Sequence, residues 1–380
     1  MTTESPTPRI AVVDPSLFSL PYDLHLCEGL AEAGAEAVLF GRVPRRGEVI
    51  AQKGAQFEPW FYASSERHRE KFPKRITNIL KGLEHVFDMT RFSRHAKRGK
   101  FTAVHFQWMA LPAVDRYVIR SLKRSGVPMV MTVHDTVPFN AAPSSKGQNV
   151  GWKSTLDLFD AIIVHTAMSK TTLEQAGLRV PIHVIPHGLL QFGPPIQGSA
   201  SERLRLLFFG AIKPYKGLDI LLRSFKEANS SGNMDLRIVG NCQGGPDEVE
   251  ALISELGLSS SVRFECRFFS DQEVPAMLSE ADVVVFPYRR IDGSGALLTA
   301  LAYGKPVIAT DVGMFGELIT DSSALVTPNS VESLAQKLRS LLQSPEELKS
   351  LQGIATETAR RIPSWTAIGQ QTLKLYQSLR

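Results

Sequence analysis

A chain of 380 residues, 43% apolar and 21% charged, is long for one domain and comfortable for two, and this composition excludes disordered, fibrous and repeat architectures. Its net charge of +5 is carried near the N-terminus, where residues 66–100 alone hold 11 Lys and Arg against 4 Asp and Glu. Three scattered cysteines, Cys27, Cys242 and Cys266, offer no zinc spacing and no disulfide framework, so unpaired thiols in a reducing cytosol are expected.

The start is polar and Pro-rich rather than a signal peptide, and no apolar run reaches the roughly 20 residues of a membrane span. Arg9–Asp14 reads as a first strand, Asp14–Tyr22 as a loop, Asp23–Gly34 as a helix and Ala37–Phe40 as a second strand. That order opens a doubly wound sheet. Thr102–Phe106, Pro128–Val133, Ala161–Val164 and Val184–Ile185 continue it, with helix-like segments between. Gly188–Ser201 is rich in Gly, Pro and Ser and reads as a linker.

Beyond the linker the alternation restarts with a strand at Leu204–Phe209, a helix at Gly217–Asn229, a strand at Leu236–Val239 and a helix at Glu248–Leu256. Val262–Glu265, Glu273–Leu278 and the buried-strand pattern Val283–Phe286 follow. Arg289–Gly295 is a polar turn, after which Ser294 can cap a helix over Gly295–Tyr303. Val307–Ala309 is the next strand, and Trp365–Arg380 is helical after a break at Pro363. The expected divisions are 1–187, 188–362 and a terminal helix at 363–380 that crosses back onto the first domain.

Two loops at strand ends carry the candidate chemistry. Gly210, Lys213 and Lys216 follow one strand, and Asp292, Gly293, Ser294, Gly295 and Ala296 open the helix after another. Ammonium groups and helix N-terminal amides at the C-terminal edge of a parallel sheet suit a phosphate or diphosphate. His134, just past a strand end, points to the same edge of the first domain; His105 is a weaker candidate, His187 stands before the linker where an interdomain cleft is expected to begin, and His165 reads as structural. No Asp-x-Asp pair, clustered His, G-x-S-x-G elbow or glycine-rich first turn supports a metal, a serine hydrolase or a dinucleotide site.

Taken together, FFGAIKPYKGLDILLRSF from Phe208, LRIVG from Leu236, ADVVVFPY from Ala281 and ALAYGKPVIATDVGMFGEL from Ala300 resemble the family 4 retaining glycosyltransferases. MTVHD from Met131, DAIIVHT from Asp160, VIPHG from Val184 and the terminal Ser364, Trp365, Leu375 and Tyr376 extend the resemblance over nearly the whole chain. It implies α/β architecture of the GT-B type, two facing Rossmann-like doubly wound parallel-sheet domains with an interdomain cleft. It also implies a nucleotide-sugar donor held by the second domain and an acceptor entering from the first; on the residues themselves, no metal or other cofactor is expected. By position, Lys216 matches the lysine on the donor diphosphate and His134 the histidine near the donor sugar. Glu317 follows the Gly-rich turn, and Arg267 and Phe268 lie where the base is held. The chain departs from the family at Ala211, which replaces an arginine, and at Ile291 and Thr299, which replace two glutamates. Asp292 adjoins the first of these, and Ser16–Tyr22 lacks the usual glycines.

Within the basic stretch, Phe72, Ile76, Ile79, Leu80, Leu83, Val86 and Phe87 interleave with the charges at near-helical spacing. An amphipathic helix on an anionic membrane is the expectation, with a polyprenyl-diphosphate-linked saccharide as a fitting acceptor in bacterial surface polysaccharide or glycolipid assembly. The location implied is cytoplasmic, on the inner face of the plasma membrane where peripheral. No module for nucleic acid accompanies the charge. Two alternatives stay open at this level: a sugar-nucleotide-binding subunit without catalysis, and a GT-B epimerase or hydrolase.

Overall fold

The computed structural model describes residues 7–45, 48, 50, 54–69, 71, 73–137 and 150–380, so Phe72 of the amphipathic stretch lies outside the described residues. The chain forms two compact units, Met1–Gly188 with Pro363–Arg380, and Leu189–Ile362.

The first unit runs β1 (Arg9–Val13), α1 (Leu20–Glu32), β2 (Glu36–Arg42), β3 (Ala55–Phe61), α2 (Ala63–Arg67), α3 (Lys74–Arg98) and β4 (Ala103–Phe106). It continues with α4 (Pro112–Lys123), β5 (Met129–Thr132), α5 (Trp152–Leu156), β6 (Ala161–Val164), α6 (Ala167–Gln175) and β7 (Ile182–Val184). The strands pair in parallel in the order β3-β2-β1-β4-β5-β6-β7. Residues of β1 alternate between faces, as side chains on a strand must. Ala11 and Val13 pack with Met89, Phe92 and Ala96 of α3, whereas Ile10 and Val12 pack with α1.

The helix α14 (Trp365–Ser378) covers that second face through Ile368, Leu373, Leu375 and Tyr376. Its contact with α1 is made backbone to backbone: a Cβ on Gly29 would stand 2.0 Å from the Trp365 carbonyl oxygen. Tyr376 Oη reaches His105 Nδ1 at 2.6 Å, and His105 Nε2 meets Thr132 Oγ1 at 2.7 Å. Burial holds His105 neutral, down to about 3. His105 is thus a core residue tying β4, β5 and α14 together, which removes it as a site candidate.

The second unit contains β8 (Leu204–Phe209), α7 (Leu218–Ala228), β9 (Met234–Gly240), α8 (Asp247–Glu255), β10 (Val262–Cys266), α9 (Val274–Ser279) and β11 (Val283–Phe286). Then come α10 (Gly295–Ala302), β12 (Val307–Thr310), α11 (Met314–Leu318), β13 (Leu325–Val326), α12 (Val331–Gln343) and α13 (Pro345–Arg361). Its sheet is also parallel, in the order β10-β9-β8-β11-β12-β13. The order reverses between β8 and β11, and a ligand crevice in such a sheet lies outside the strand ends at that reversal. The loops after β8 and β11 are the two that the sequence singles out.

Three expectations are corrected. α1 begins at Leu20, not Asp23, because Pro21 suits the first turn. β3 has no counterpart in the sequence reading; it contains Pro59, which an edge strand tolerates. Cys242 and Cys266 are not unpaired: they form a disulfide with Cα atoms 5.6 Å apart, since β9 and β10 are parallel neighbours in register at Gly240 and Cys266. Cys27 stays free and buried.

In place of a glycine turn, Asp14 organises the loop after β1. Its carboxyl accepts the Ser16 and Ser19 N–H groups at 3.2 and 3.0 Å, and Ser19 Oγ bridges to Asp23 at 3.2 Å. Burial lifts both carboxyls, Asp23 well above the ordinary range, with the Asp14 charge as its second cause. Such a group favours folding most below its unfolded value near 3.8, and the benefit is lost as pH rises toward the folded value. Asp23→Asn keeps an acceptor for Ser19 and removes that loss. Its gain in stability over the wild type is therefore expected to grow as pH rises above the unfolded value of 3.8, by up to about 1.4 kcal/mol per pH unit. A gain that is flat or shrinking across a pH series of melts refutes this.

Candidate active site

The loop after β8 turns through a 3-10 segment, Pro214–Lys216, and enters α7 at Gly217. Gly217 has φ of +66°, and a Cβ there would stand 2.0 Å from the Pro287 carbonyl oxygen, so the turn presses onto the loop after β11. Arg289 fastens the two loops. Its N–H donates to the Tyr215 carbonyl at 2.8 Å, and its guanidinium donates to the Pro214 carbonyl at 2.9 Å while gripping Asp219 at 2.9 and 2.7 Å. Sequence reading missed Arg289, which is an ordinary member of a polar turn until the partner loop is in place.

That fastening delivers Lys216. Its ammonium sits 3.4 Å from the Cβ position of Gly210 and 5.0 Å from the Tyr288 ring centroid, and Ala296 Cβ is 4.0 Å from the same Gly210 position. Gly210, Lys216 and Ala296 are thus brought together across the sheet's reversal point. Lys216 is 9% exposed, and among the described residues no carboxylate pairs with it. Desolvation alone pulls its pKa down to about 8. A buried cation without a counter-charge is costly, and such a position suits an incoming anion.

On the other side, Ser294 caps α10, its Oγ accepting the Leu297 N–H at 3.2 Å. The Ser294 N–H meets Met314 Sδ at 3.4 Å, which ties this loop to α11. Gly295 and Ala296 open the helix, and first-turn amides have no intrahelical acceptor. Thr299 is buried one turn on, its hydroxyl donating back to the Gly295 carbonyl at 2.8 Å. Gly293 and Asp292 lie partly buried in the loop, Lys213 is partly buried after β8, and Glu317 is exposed on α11. Arg267 is committed elsewhere: it pairs with Glu265 at 3.0 Å and Glu273 at 2.8 Å, beside a Phe268 that is 67% exposed. A cavity of about 730 Å³ at the opposite edge of the sheet, walled by Arg205, Asp235 and Arg237 at strand starts and sides, takes no part in this constellation.

In the N-terminal unit His134 follows β5, stacked on Trp108 at 5.5 Å and edge-on to Tyr22 at 4.8 Å. His165 Nδ1 lies 3.0 Å from the Ile185 carbonyl, which can only accept, so Nδ1 carries the proton. His165 Nε2 lies 3.3 Å from His134 Nδ1, and His134 Nε2 lies 3.1 Å from Gln107 Oε1, so both ring nitrogens of His134 are held by neighbours. Burial drives the His134 pKa well down, assisted by His165, His187 and His105, so His134 is a neutral, oriented group. His165, read from the sequence as structural, proves to be its support. Gln107, Trp108 and Tyr22 were missed, for nothing in the linear order sets them around His134.

The family model described as Glycosyltransferase Family 4 matches residues 23–189, and the one described as Glycosyl transferases group 1 matches residues 193–358. An MMP alpha-(1->4)-mannosyltransferase of Mycolicibacterium hassiacum is 30% identical over 52% of this chain and 48% of its own length, so the chain spans about half of that relative. A GDP-mannose:glycolipid 4-beta-D-mannosyltransferase of Xanthomonas campestris is 25% identical over 65% of this chain and 72% of its own. Among solved structures, Anabaena HepE in complex with UDP and glucose shares the fold, with a TM-score of 0.75 at 17% identity over 98% of this chain and all of that one. The chain belongs to the group 1, family 4 glycosyltransferases and has their GT-B fold of two parallel-sheet Rossmann-like domains.

Proposed function

We propose that the chain moves a hexosyl group from a nucleotide-diphosphate sugar to a saccharide acceptor carried on a lipid, in bacterial surface polysaccharide or glycolipid assembly. The observation that carries this is the buried Lys216, with no carboxylate partner among the described residues, beside Gly210 and the start of α10. In the reaction the anomeric C–O bond to the diphosphate breaks and a bond to the acceptor oxygen forms on the same face, while the acceptor proton leaves with the diphosphate. Negative charge grows on the departing diphosphate, where Lys216, Lys213 and the amides of Gly293–Ala296 stabilise it most in the transition state. These groups supply the charge without a metal or other cofactor. His134, neutral, orients the donor sugar by hydrogen bonding, Asp292 and Thr299 stand beside or at the positions of the family's glutamates and contribute to the donor site, and Glu317, Arg267 and Phe268 are assigned to its sugar and base ends by sequence position alone.

A thermal-shift screen of UDP-, GDP- and ADP-sugars tests the reading, since a donor at 100 times Kd stabilises by about 2.7 kcal/mol. No shift with any of them rejects it. The relatives' names carry both alpha and beta linkages, so the product anomer is to be read directly, and inversion would reject same-face attack.

The lipid side of the proposal rests on α3. Ile76, Ile79, Leu80, Leu83, Val86 and Phe87 form one stripe of that helix and are all exposed, Leu83 at 67%, while its other side buries Met89 and Phe92. Exposed Arg75, Arg91 and Arg94 accompany the stripe. Among the described residues no helix is long and apolar enough to cross a membrane. An interfacial helix is the fitting alternative, each basic residue contributing about 1 kcal/mol at an anionic surface. The full chain is expected to sediment with vesicles containing anionic lipid and to be released by Leu83→Glu with Phe87→Glu; equal, weak binding to neutral and anionic vesicles would count against it.

A further inference from the structure

A second group of cations gathers in the N-terminal unit. Arg45, Arg69 and Lys81 line a cavity of about 440 Å³ with Asn78, and among the described residues Glu66 is the only carboxylate in its wall. Glu66 is taken up by Arg45 through bonds of 2.9 and 2.6 Å, and Arg42 behind them is occupied by Glu48 at 2.7 and 2.6 Å. Arg69 and Lys81 are left without a carboxylate partner among the described residues. Lys81 is not a loose surface lysine. Its ammonium lies 4.4 Å above the Tyr62 ring and 3.3 Å from Ser16 Oγ, in the loop that follows β1 at the sheet's reversal between β1 and β4. Burial, opposed by Glu66 and reinforced by Arg45, Arg42 and Arg69, holds its pKa down to about 8. Like charges fixed around one cavity are unfavourable until an anion with several oxygens joins them. The exposed apolar stripe of α3, with Ile76, Ile79, Leu80 and Leu83, runs within two turns of Lys81 on the same helix.

We infer that this cavity binds the phosphate or diphosphate ester that carries the saccharide acceptor, with Lys81 and Arg69 pairing its oxygens and the α3 stripe lying along its apolar part. The inference rests on the reading of the chain as a transferase acting on a lipid-carried acceptor. Two sources share this chemistry, a lipid-borne diphosphate and a free phosphoester.

Acylation footprinting of the full chain separates them, because a half-buried amine of low pKa reacts readily and an anion bound to it suppresses the reaction. The rate at Lys81, read from peptide masses with a trace of acylating reagent, is compared in pyrophosphate, a short-chain prenyl diphosphate and sodium chloride at equal ionic strength. Protection at Lys81 of roughly fivefold or more by a diphosphate over chloride is expected, and Arg69→Gln, a change at an exposed residue, should weaken it roughly threefold. Protection at lower concentration by the prenyl ester supports the lipid-borne source; equal potency supports a site for the free phosphoester. The same protection in Lys216→Met locates it away from the donor diphosphate's lysine. Acylation that neither diphosphate slows more than chloride overturns the subsite and leaves the transferase reading to its own donor screen. Failure of that screen, with Lys81 still protected, overturns the transferase reading instead.

Discussion

Lys216→Met is expected to lower sugar transfer roughly 100-fold and to raise the thermal stability of the free protein at neutral pH. The two effects have one cause. Lys216 is buried with no carboxylate beside it among the described residues, and desolvation depresses its pKa from 10.5 to about 8. Below about pH 8 the folded protein holds a charge that water would solvate better, a cost of about 3 kcal/mol at order of magnitude. The sign follows from linkage: a depressed lysine destabilises the fold fully below its folded pKa, and the cost fades as pH rises toward the unfolded value of 10.5. Methionine keeps the length of the chain, fills the same space and carries no charge. Its gain in Tm should therefore be largest near neutrality and vanish near pH 10. Activity moves oppositely. In the wild type kcat/KM should fall above about pH 8 as Lys216 loses its proton, whereas at saturating donor the bound diphosphate restores the charge and kcat should hold to higher pH. A variant that is less stable at pH 7, or turns over like the wild type, would show that Lys216 supports the fold and not the reaction.

Where burial and periodicity decided an element, the sequence was enough. Val283–Phe286, the cap at Ser294, the helix after it and the strand at Val307 all stand within a residue or two of their expected places, because a parallel strand covered on both faces is apolar throughout. What stayed hidden depends on which strands become neighbours. Cys242 and Cys266 stand 24 residues apart and meet only because β9 and β10 pair. Arg289 becomes a fastener only when the loop after β8 arrives beside it. The absence of glycine in Ser16–Tyr22 puts phosphate contact there in doubt, yet the loop is ordered by Asp14, whose carboxyl takes the amides that a glycine turn would have turned elsewhere. Ile291 and Thr299 lack the acid of the family's glutamates, and the Thr299 hydroxyl donates within its own helix, so what Thr299 can offer the proposed donor is a lone pair and not a charge.

The same dependence on neighbours makes Gly369 decisive for the fold. Nothing in the linear order distinguishes Gly369 in α14 from Gly353 in α13, and both sit inside helices where glycine costs about 1 kcal/mol relative to alanine. A Cβ on Gly353 would meet nothing within 4 Å. A Cβ on Gly369 would stand 2.1 Å from the Gly29 carbonyl oxygen and 2.2 Å from its carbonyl carbon, atoms of a backbone that cannot swing aside. To admit it, α14 must lift from α1, which loosens Ile368, Leu373 and Tyr376 from the core and draws the Tyr376 hydroxyl away from His105. Overpacking of this kind costs about 1–3 kcal/mol, more when rigid groups collide, and outweighs the helix-propensity gain. Gly353→Ala should accordingly raise the unfolding free energy by about 0.5–1 kcal/mol, and Gly369→Ala should lower it by about 1–3 kcal/mol. Urea titrations of both variants, followed by tryptophan fluorescence, make the comparison. Because Trp365 opens α14, a partial unfolding limited to this helix should shift the fluorescence of Gly369→Ala before the main transition. A Gly369→Ala protein as stable as Gly353→Ala would mean that the two helices do not meet backbone to backbone.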